Sequence, residues 1–236
     1  MRWRTTAFVT ASVMLAMLFA RLGVWQLDRL RERREHNEFL RRRMHAAPVA
    51  LASLAGTPGE LRYRRVRVEG RADYANEFVY ASRTRDGSPG VYLMTPVLTG
   101  DTAVLVARGW VYAADGATVD RARWREGDSL TVVGYVEEMP ATSQTPDTTP
   151  GRPGTVTRLD RARMETRIGR PLRAVYVLAT GDSATRRGDV PARFALPELN
   201  DGPHKSYAFQ WFSFAAIAVV GAGIVIRNDR GARAAR

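Results

Sequence analysis

The chain has 236 residues, 45% of them hydrophobic, with 36 Lys and Arg against 24 Asp and Glu for a formal net charge of +12, and no cysteine. The missing cysteines exclude disulfides, CxxC redox chemistry, thiolate metal sites and a cysteine nucleophile. The basic balance suits phosphate neutralisation, but the arginines are spread along the chain without a helix-turn-helix, aromatic RNA platform or zinc-finger spacing, so no nucleic-acid partner is expected. Membrane flanks and a solvated surface account for the charge better.

The first element is an apolar run. Trp3 to Leu22 supplies about 20 residues with Arg4 and Arg21 near its ends, the length of a membrane span with snorkelling basic flanks. Arg2 and Arg4 also resemble a signal-peptide n-region, but Leu18 and Ala20 make a poor cleavage pair, so an uncleaved anchor is expected. Gln26 to Met44 reads as a helical extension running out of the bilayer. Its Leu27, Leu30, Phe39 and Leu40 are too sparse for a deep core face.

The middle of the chain reads as strands. Arg62 to Gly70 alternates Val66 and Val68 with charged neighbours, and Glu77 to Thr84 follows a turn. Val91 to Leu98 and Ala103 to Tyr112 are set off by Asp86-Gly87-Ser88-Pro89-Gly90 and by Gly100-Asp101, as consecutive hairpins. Ser129 to Glu138 and Leu172 to Thr180 are further strands. Between them lie a Pro/Thr/Gly-rich loop, Pro140 to Gly154, and a short helix around Leu159 to Ile168. Six or so antiparallel strands with one or two short helices predict a small barrel or curved sheet, an α+β domain rather than a parallel α/β fold.

A second span closes the chain. Tyr207 to Ile226 is about 20 uncharged residues, and Asp201 or Gly202 is placed to cap a helix opening at Pro203. The expected organisation is therefore a transmembrane helix over 1–27, an extramembrane β-rich domain over 28–206, and a transmembrane helix with a short basic tail over 207–236. Arg227, Arg230, Arg233 and Arg236 after the second span, with Arg2 and Arg4 before the first, favour cytoplasmic termini and a domain on the outer side.

Catalytic signatures are missing. Ser88 lacks the spacing of a nucleophile elbow, there is no P-loop, and Gly221-Ala222-Gly223 lies inside the second span, where small residues serve packing. An enzyme is not expected. His36 and His45 sit among arginines and read as solvated surface, whereas His204 stands about one turn above the second span with Tyr207, Gln210 and Trp211 below it. The first span exits through Trp25-Gln26 and the second enters through Gln210-Trp211, so the two pairs are expected to face each other at one depth. An interfacial aromatic belt explains the two Trp residues but not the glutamines. A histidine opening a helix can simply bond the domain or lipid headgroups, while an imidazole over an aromatic crevice is also suited to ligating a haem iron, with Arg21 or Arg29 near enough for propionates.

Five segments carry a resemblance. Gly23-Val24-Trp25-Gln26-Leu27-Asp28-Arg29-Leu30, Tyr63-Arg64-Arg65-Val66-Arg67-Val68-Glu69-Gly70, Tyr92-Leu93-Met94-Thr95-Pro96-Val97, Val104-Leu105-Val106-Ala107-Arg108-Gly109-Trp110-Val111 and Gly202-Pro203-His204-Lys205-Ser206-Tyr207-Ala208-Phe209-Gln210-Trp211-Phe212 resemble, in order, the motifs of the surfeit locus protein 1 family. The resemblance implies a two-pass protein of the bacterial inner membrane with a periplasmic domain. It implies a chaperone that assists cytochrome c oxidase assembly beside the oxidase subunit I and other assembly factors, holding haem a for insertion. His204 is then the haem-contacting residue and iron ligand, with Tyr207, Gln210, Trp211, Trp25, Gln26 and Arg29 around the cofactor. The chain departs from the family between Thr148 and Arg158, which keeps Asp160 but lacks a Trp. The alternative expectation is a scaffold for oxidase subunits that binds no cofactor. Arg108-Gly109-Trp110 has a structural reading beside the family one, as cover for a barrel edge.

Overall fold

A computed structural model describes residues 3–140, 152, 154–181 and 190–234 of the chain. The loop expected over Pro140 to Gly154 lies almost wholly outside the described residues, as do Arg2 and Arg236. The chain divides into two compact units, one of residues 1–41 with 198–236 and one of residues 42–197.

The first unit is a helical hairpin. Helix α1 runs unbroken over Trp3–His45, so the anchor and its polar extension are one element. The last helix, α4, covers His204–Ala234, and both are long and apolar enough to cross a membrane. Buried or half-buried positions on α1 recur at Ala16, Phe19, Gly23, Gln26, Leu30, Asn37 and Leu40, a three-then-four spacing interrupted only at the exposed Arg33. On α4 they recur at His204, Ala208, Trp211, Ala215, Ala218 and Ala222 with the same spacing. That period is the seam of a left-handed helix pair. Small residues dominate the α4 seam, which lets two backbones approach closely where no water drives them together.

The second unit is a closed, mixed sheet. Its elements are β1 (Val49–Ala50), α2 (Pro58–Leu61), β2 (Arg65–Ala72), β3 (Phe78–Arg85), β4 (Ser88–Thr99), β5 (Thr102–Tyr112), β6 (Ser129–Glu138), β7 (Thr155–Val156), α3 (Arg161–Ile168) and β8 (Leu172–Ala179). The order is β1-β2-β6-β8-β5-β4-β3-β7, and the extra pairing of Arg71 with Leu98 and Ala72 with Val97 joins β2 to β4 and closes a small barrel. The long hairpins pair antiparallel as their turns predict, whereas β8 returns alongside β5 in parallel, with Leu105 opposite Tyr176 and Ala107 opposite Leu178. A parallel neighbour requires a crossover, and β6, β7 and α3 together provide it.

Strand β5 shows why the barrel holds. Val104 and Val106 face the interior with Val66, Val68, Val97, Val132, Val136, Val175 and Val177. Leu105 and Ala107 face outward, where Phe78, Met94 and Leu178 meet Met164 and Ile168 of α3. Burial on both faces makes β5 apolar almost throughout, and each such side chain contributes about 1.5–3 kcal/mol. Helix α3 is positioned by its ends: Asp160 accepts from Arg163 N at 3.1 Å, and Gly169 follows at φ 69°.

One charge cluster interrupts this core. Arg108 is fully buried and does not cover an edge. Its guanidinium meets Glu77 at 2.6 Å, Thr95 Oγ1 at 2.7 Å and Glu126 at 2.7 Å. Thr95 in turn bonds Glu77, and Glu126 is shared with Arg193. Burial alone opposes the charge of Arg108, but Glu77 and Glu126 outweigh it, and the guanidinium pKa is raised. Arg193 also donates to Arg108 O, while Ala192 exchanges both backbone bonds with Trp110 at 2.9 Å. The network thereby fastens the segment around Arg193 across β5.

Candidate functional site

The site is built at the mouth of the hairpin, from the turn that opens α4. Pro203 O accepts the first helical bond, from Tyr207 N at 3.1 Å, so the helix starts at His204, one position after Pro203. Asp201, one of two expected caps, turns instead to Arg34 Nε at 2.8 Å. Gly202 sits at φ 68°, where an L side chain is strained, and a Cβ there would stand 3.4 Å from His204 Cδ2 and 3.6 Å from its Nε2. Glycine thus leaves the Nε2 edge of the imidazole uncovered on that side.

Three bonds fix this turn on α1. Asn37 Nδ2 donates to Asn200 O at 2.8 Å, Arg33 Nε donates to the same carbonyl at 3.3 Å, and Arg34 holds Asp201. Asn37 is 3% exposed, so its amide is committed to this bond rather than to water. Two to three turns back along α1, Gln26 Oε1 lies 2.9 Å from His204 Nδ1. Gln26 and Asn37 are the buried polar residues of the α1 seam, and a polar group at such a position specifies register. An Nδ1–H donating to the Gln26 carbonyl leaves Nε2 unprotonated, the form in which imidazole binds a metal.

The other expected residues disperse. Trp211 packs on Phe19 with ring centroids 5.7 Å apart, and Phe214 joins the same cluster at 5.6 Å from Phe19. Seven positions separate Phe19 from Gln26, so the Trp211 level lies about 10 Å, roughly two turns, from the Gln26 level. Trp25-Gln26 and Gln210-Trp211 occupy the same end of the hairpin but do not face each other at one depth, which corrects the expected geometry. The reason is the antiparallel seam: with Gln26 on His204, Trp211 must fall opposite Phe19. Trp25, Tyr207 and Gln210 lie off the seam and are exposed, and Arg29 pairs with Glu32 at 2.9 Å. His36 and His45 are exposed, and no group of three or more metal-binding side chains occurs among the described residues.

The sequence reading assigns no role to Asn37 or Arg34, and Gly23 enters it only within a resemblance motif. Gly23 is buried where a Cβ would come within 2.8 Å of the Phe212 ring. Their signal was present in the spacing of Gly23, Gln26, Leu30 and Asn37, one face of one helix, which a search for apolar residues alone does not register.

The model of the SURF1 family matches residues 13–216. A SURF1-like protein of Rickettsia felis is 28% identical over 113 residues, covering 47% of this chain and 46% of that protein, so the match spans under half of the relative. An uncharacterized SURF1-like protein of Mycobacterium bovis is 24% identical over 94% of this chain and 82% of its own length. A SURF1-like protein of Drosophila melanogaster is 29% identical over 83% of this chain and 69% of its own.

Proposed function

The chain belongs to the SURF1 family, which supports a role in cytochrome c oxidase assembly in general, and from that premise we propose that it holds haem a at His204 for delivery to the oxidase catalytic subunit. The observation carrying this reading is the 2.9 Å bond between Gln26 Oε1 and His204 Nδ1. It orients the imidazole and leaves Nε2 with a lone pair on the side kept open by Gly202, so His204 would supply one nitrogen to a haem and Gln26 would hold the ring. A bound haem would supply the iron for which that nitrogen is the ligand.

What the chain contributes is binding and release rather than chemistry. His204 is half-buried and the Phe19, Trp211 and Phe214 rings lie deeper along the seam, so a flat apolar cargo finds one polar anchor beside an aromatic bed. One ligand suffices for holding and lets go more easily than two, which suits a chaperone and not a catalyst. Two end helices support a two-pass membrane arrangement; the bacterial inner membrane, cytoplasmic termini and a periplasmic domain complete the proposal.

The test is purification from cells that make haem a, comparing wild type with His204→Ala. Co-purifying pigment should fall several-fold in the variant and oxidase assembly should drop with it. Equal pigment in both removes His204 as ligand. Normal oxidase with His204→Ala would favour the scaffold that binds no cofactor.

A further inference from the structure

The barrel has an opening that the oxidase reading does not use. Between the segment around Leu51 and the barrel wall lies a cavity of about 560 Å³, within the range that accepts a small organic molecule. The apolar surface of its floor is Pro48, Ala50 and Ala52, seated over Leu51, Val68 and Val104 of the barrel interior, which are each 2% exposed, and Glu69 lines one side. Arg173 lines the same cavity, two residues before the inward-facing Val175 on β8. Its Nη1 donates to Leu51 O at 3.1 Å and Leu54 O at 3.3 Å, which pins the guanidinium in place. Both acceptors are neutral, and Arg173 meets no carboxylate among the described residues. At the rim, Arg67 approaches Glu69 only loosely, at 3.8 Å, with both side chains exposed.

A half-buried, immobilised guanidinium over an apolar floor lacks the anion that would offset its desolvation. Carboxylate oxygens match the remaining fork of an arginine, and the floor accepts an apolar body. We infer that the barrel mouth binds a small amphiphile bearing one carboxylate on a single apolar chain, with Arg173 holding the carboxylate, Arg67 strengthening it from the rim, and Pro48, Ala50 and Ala52 receiving the chain.

Binding of octanoate and its neutral isostere octanamide to the full chain in nanodiscs tests this, with empty nanodiscs subtracted for partitioning. Wild type should saturate with octanoate and prefer it to octanamide at least tenfold, as a charge-assisted pair requires. Arg173→Gln should abolish the preference and Arg67→Gln should lower it by a smaller factor. The Arg67 variant leaves both carbonyl ties of Arg173 intact and so decides the matter if Arg173→Gln fails to fold. Equal affinity for the two ligands, no saturable binding, or a preference untouched in a folded variant overturns the assignment. None of these outcomes depends on haem or on His204.

Discussion

Gln26 is the residue whose replacement separates orientation from contact at the candidate site. In Gln26→Glu a carboxylate still accepts from His204 Nδ1–H, whereas Gln26→Leu removes the acceptor and leaves the imidazole free to choose its tautomer. With ¹⁵N-labelled protein, wild type and Gln26→Glu should show His204 protonated at Nδ1, and Gln26→Leu should show a mixture with a several-fold loss of pigment. A wild-type spectrum with the proton on Nε2 would defeat the proposed ligand geometry outright. A different residue-scale effect belongs to Arg108. Arg108→Met strands Glu77 in the core, and removing one partner of a buried pair costs about 3–5 kcal/mol. Chemical denaturation should register that loss, and a conservative Arg108→Lys should recover only part of it, because an ammonium cannot reach Glu77, Thr95 and Glu126 with one planar fork.

At the scale of elements, the seam between α1 and α4 is the decisive one. Gly23→Val drives a branched side chain into Phe212 and should cost about 1–3 kcal/mol of hairpin stability, seen as earlier thermal unfolding and as loss of the Gln26 to His204 register. Strand positions were legible because turns and alternation mark them: β6 over Ser129–Glu138 coincides with its expected range, and α3 carries its cap at Asp160 and its stop at Gly169. The parallel return of β8 beside β5 was not legible, since periodicity reports burial and not which strand lies alongside. The His204 end of the site was legible from one motif. Its partner was foreseen only as a general neighbour, because the pairing of Gln26 with His204 depends on where two helices distant in sequence come into register. The buried role of Arg108 also escaped, as an arginine among valines gives no local sign of carboxylates arriving from Glu77 and Glu126.

For the whole molecule, alkaline pH probes the domain through its tyrosines. Burial, aided by Glu137, pushes the Tyr135 hydroxyl up to about 12, and burial likewise raises Tyr176. A hydroxyl whose folded pKa lies above its unfolded value near 10 contributes stability that is complete below pH 10 and is lost as pH rises toward 12. Tyrosinate absorbance should therefore show two late-titrating groups, and Tyr135→Phe should blunt the loss of stability across that window. Membrane arrangement is open to labelling because the chain carries no cysteine. Cysteines introduced singly at Thr166, on the exposed face of α3, and at Asn228, near the end of α4, should react oppositely with an impermeant thiol reagent, the first labelled in intact spheroplasts and the second only after lysis. Identical labelling would contradict a domain held outside by two crossings.

The unbroken α1 has one more consequence. Its 43 residues make a rod of about 65 Å, roughly twice the hydrocarbon thickness of a bilayer. A rod anchored over part of its length tilts when the membrane thins, and a tilt of about 10° about its midpoint swings either end through about 6 Å. Gln26 lies two residues from that midpoint, so it and His204 would keep their depth while the ends swing, and the protein would meet its cargo at a level that lipid composition does not reset.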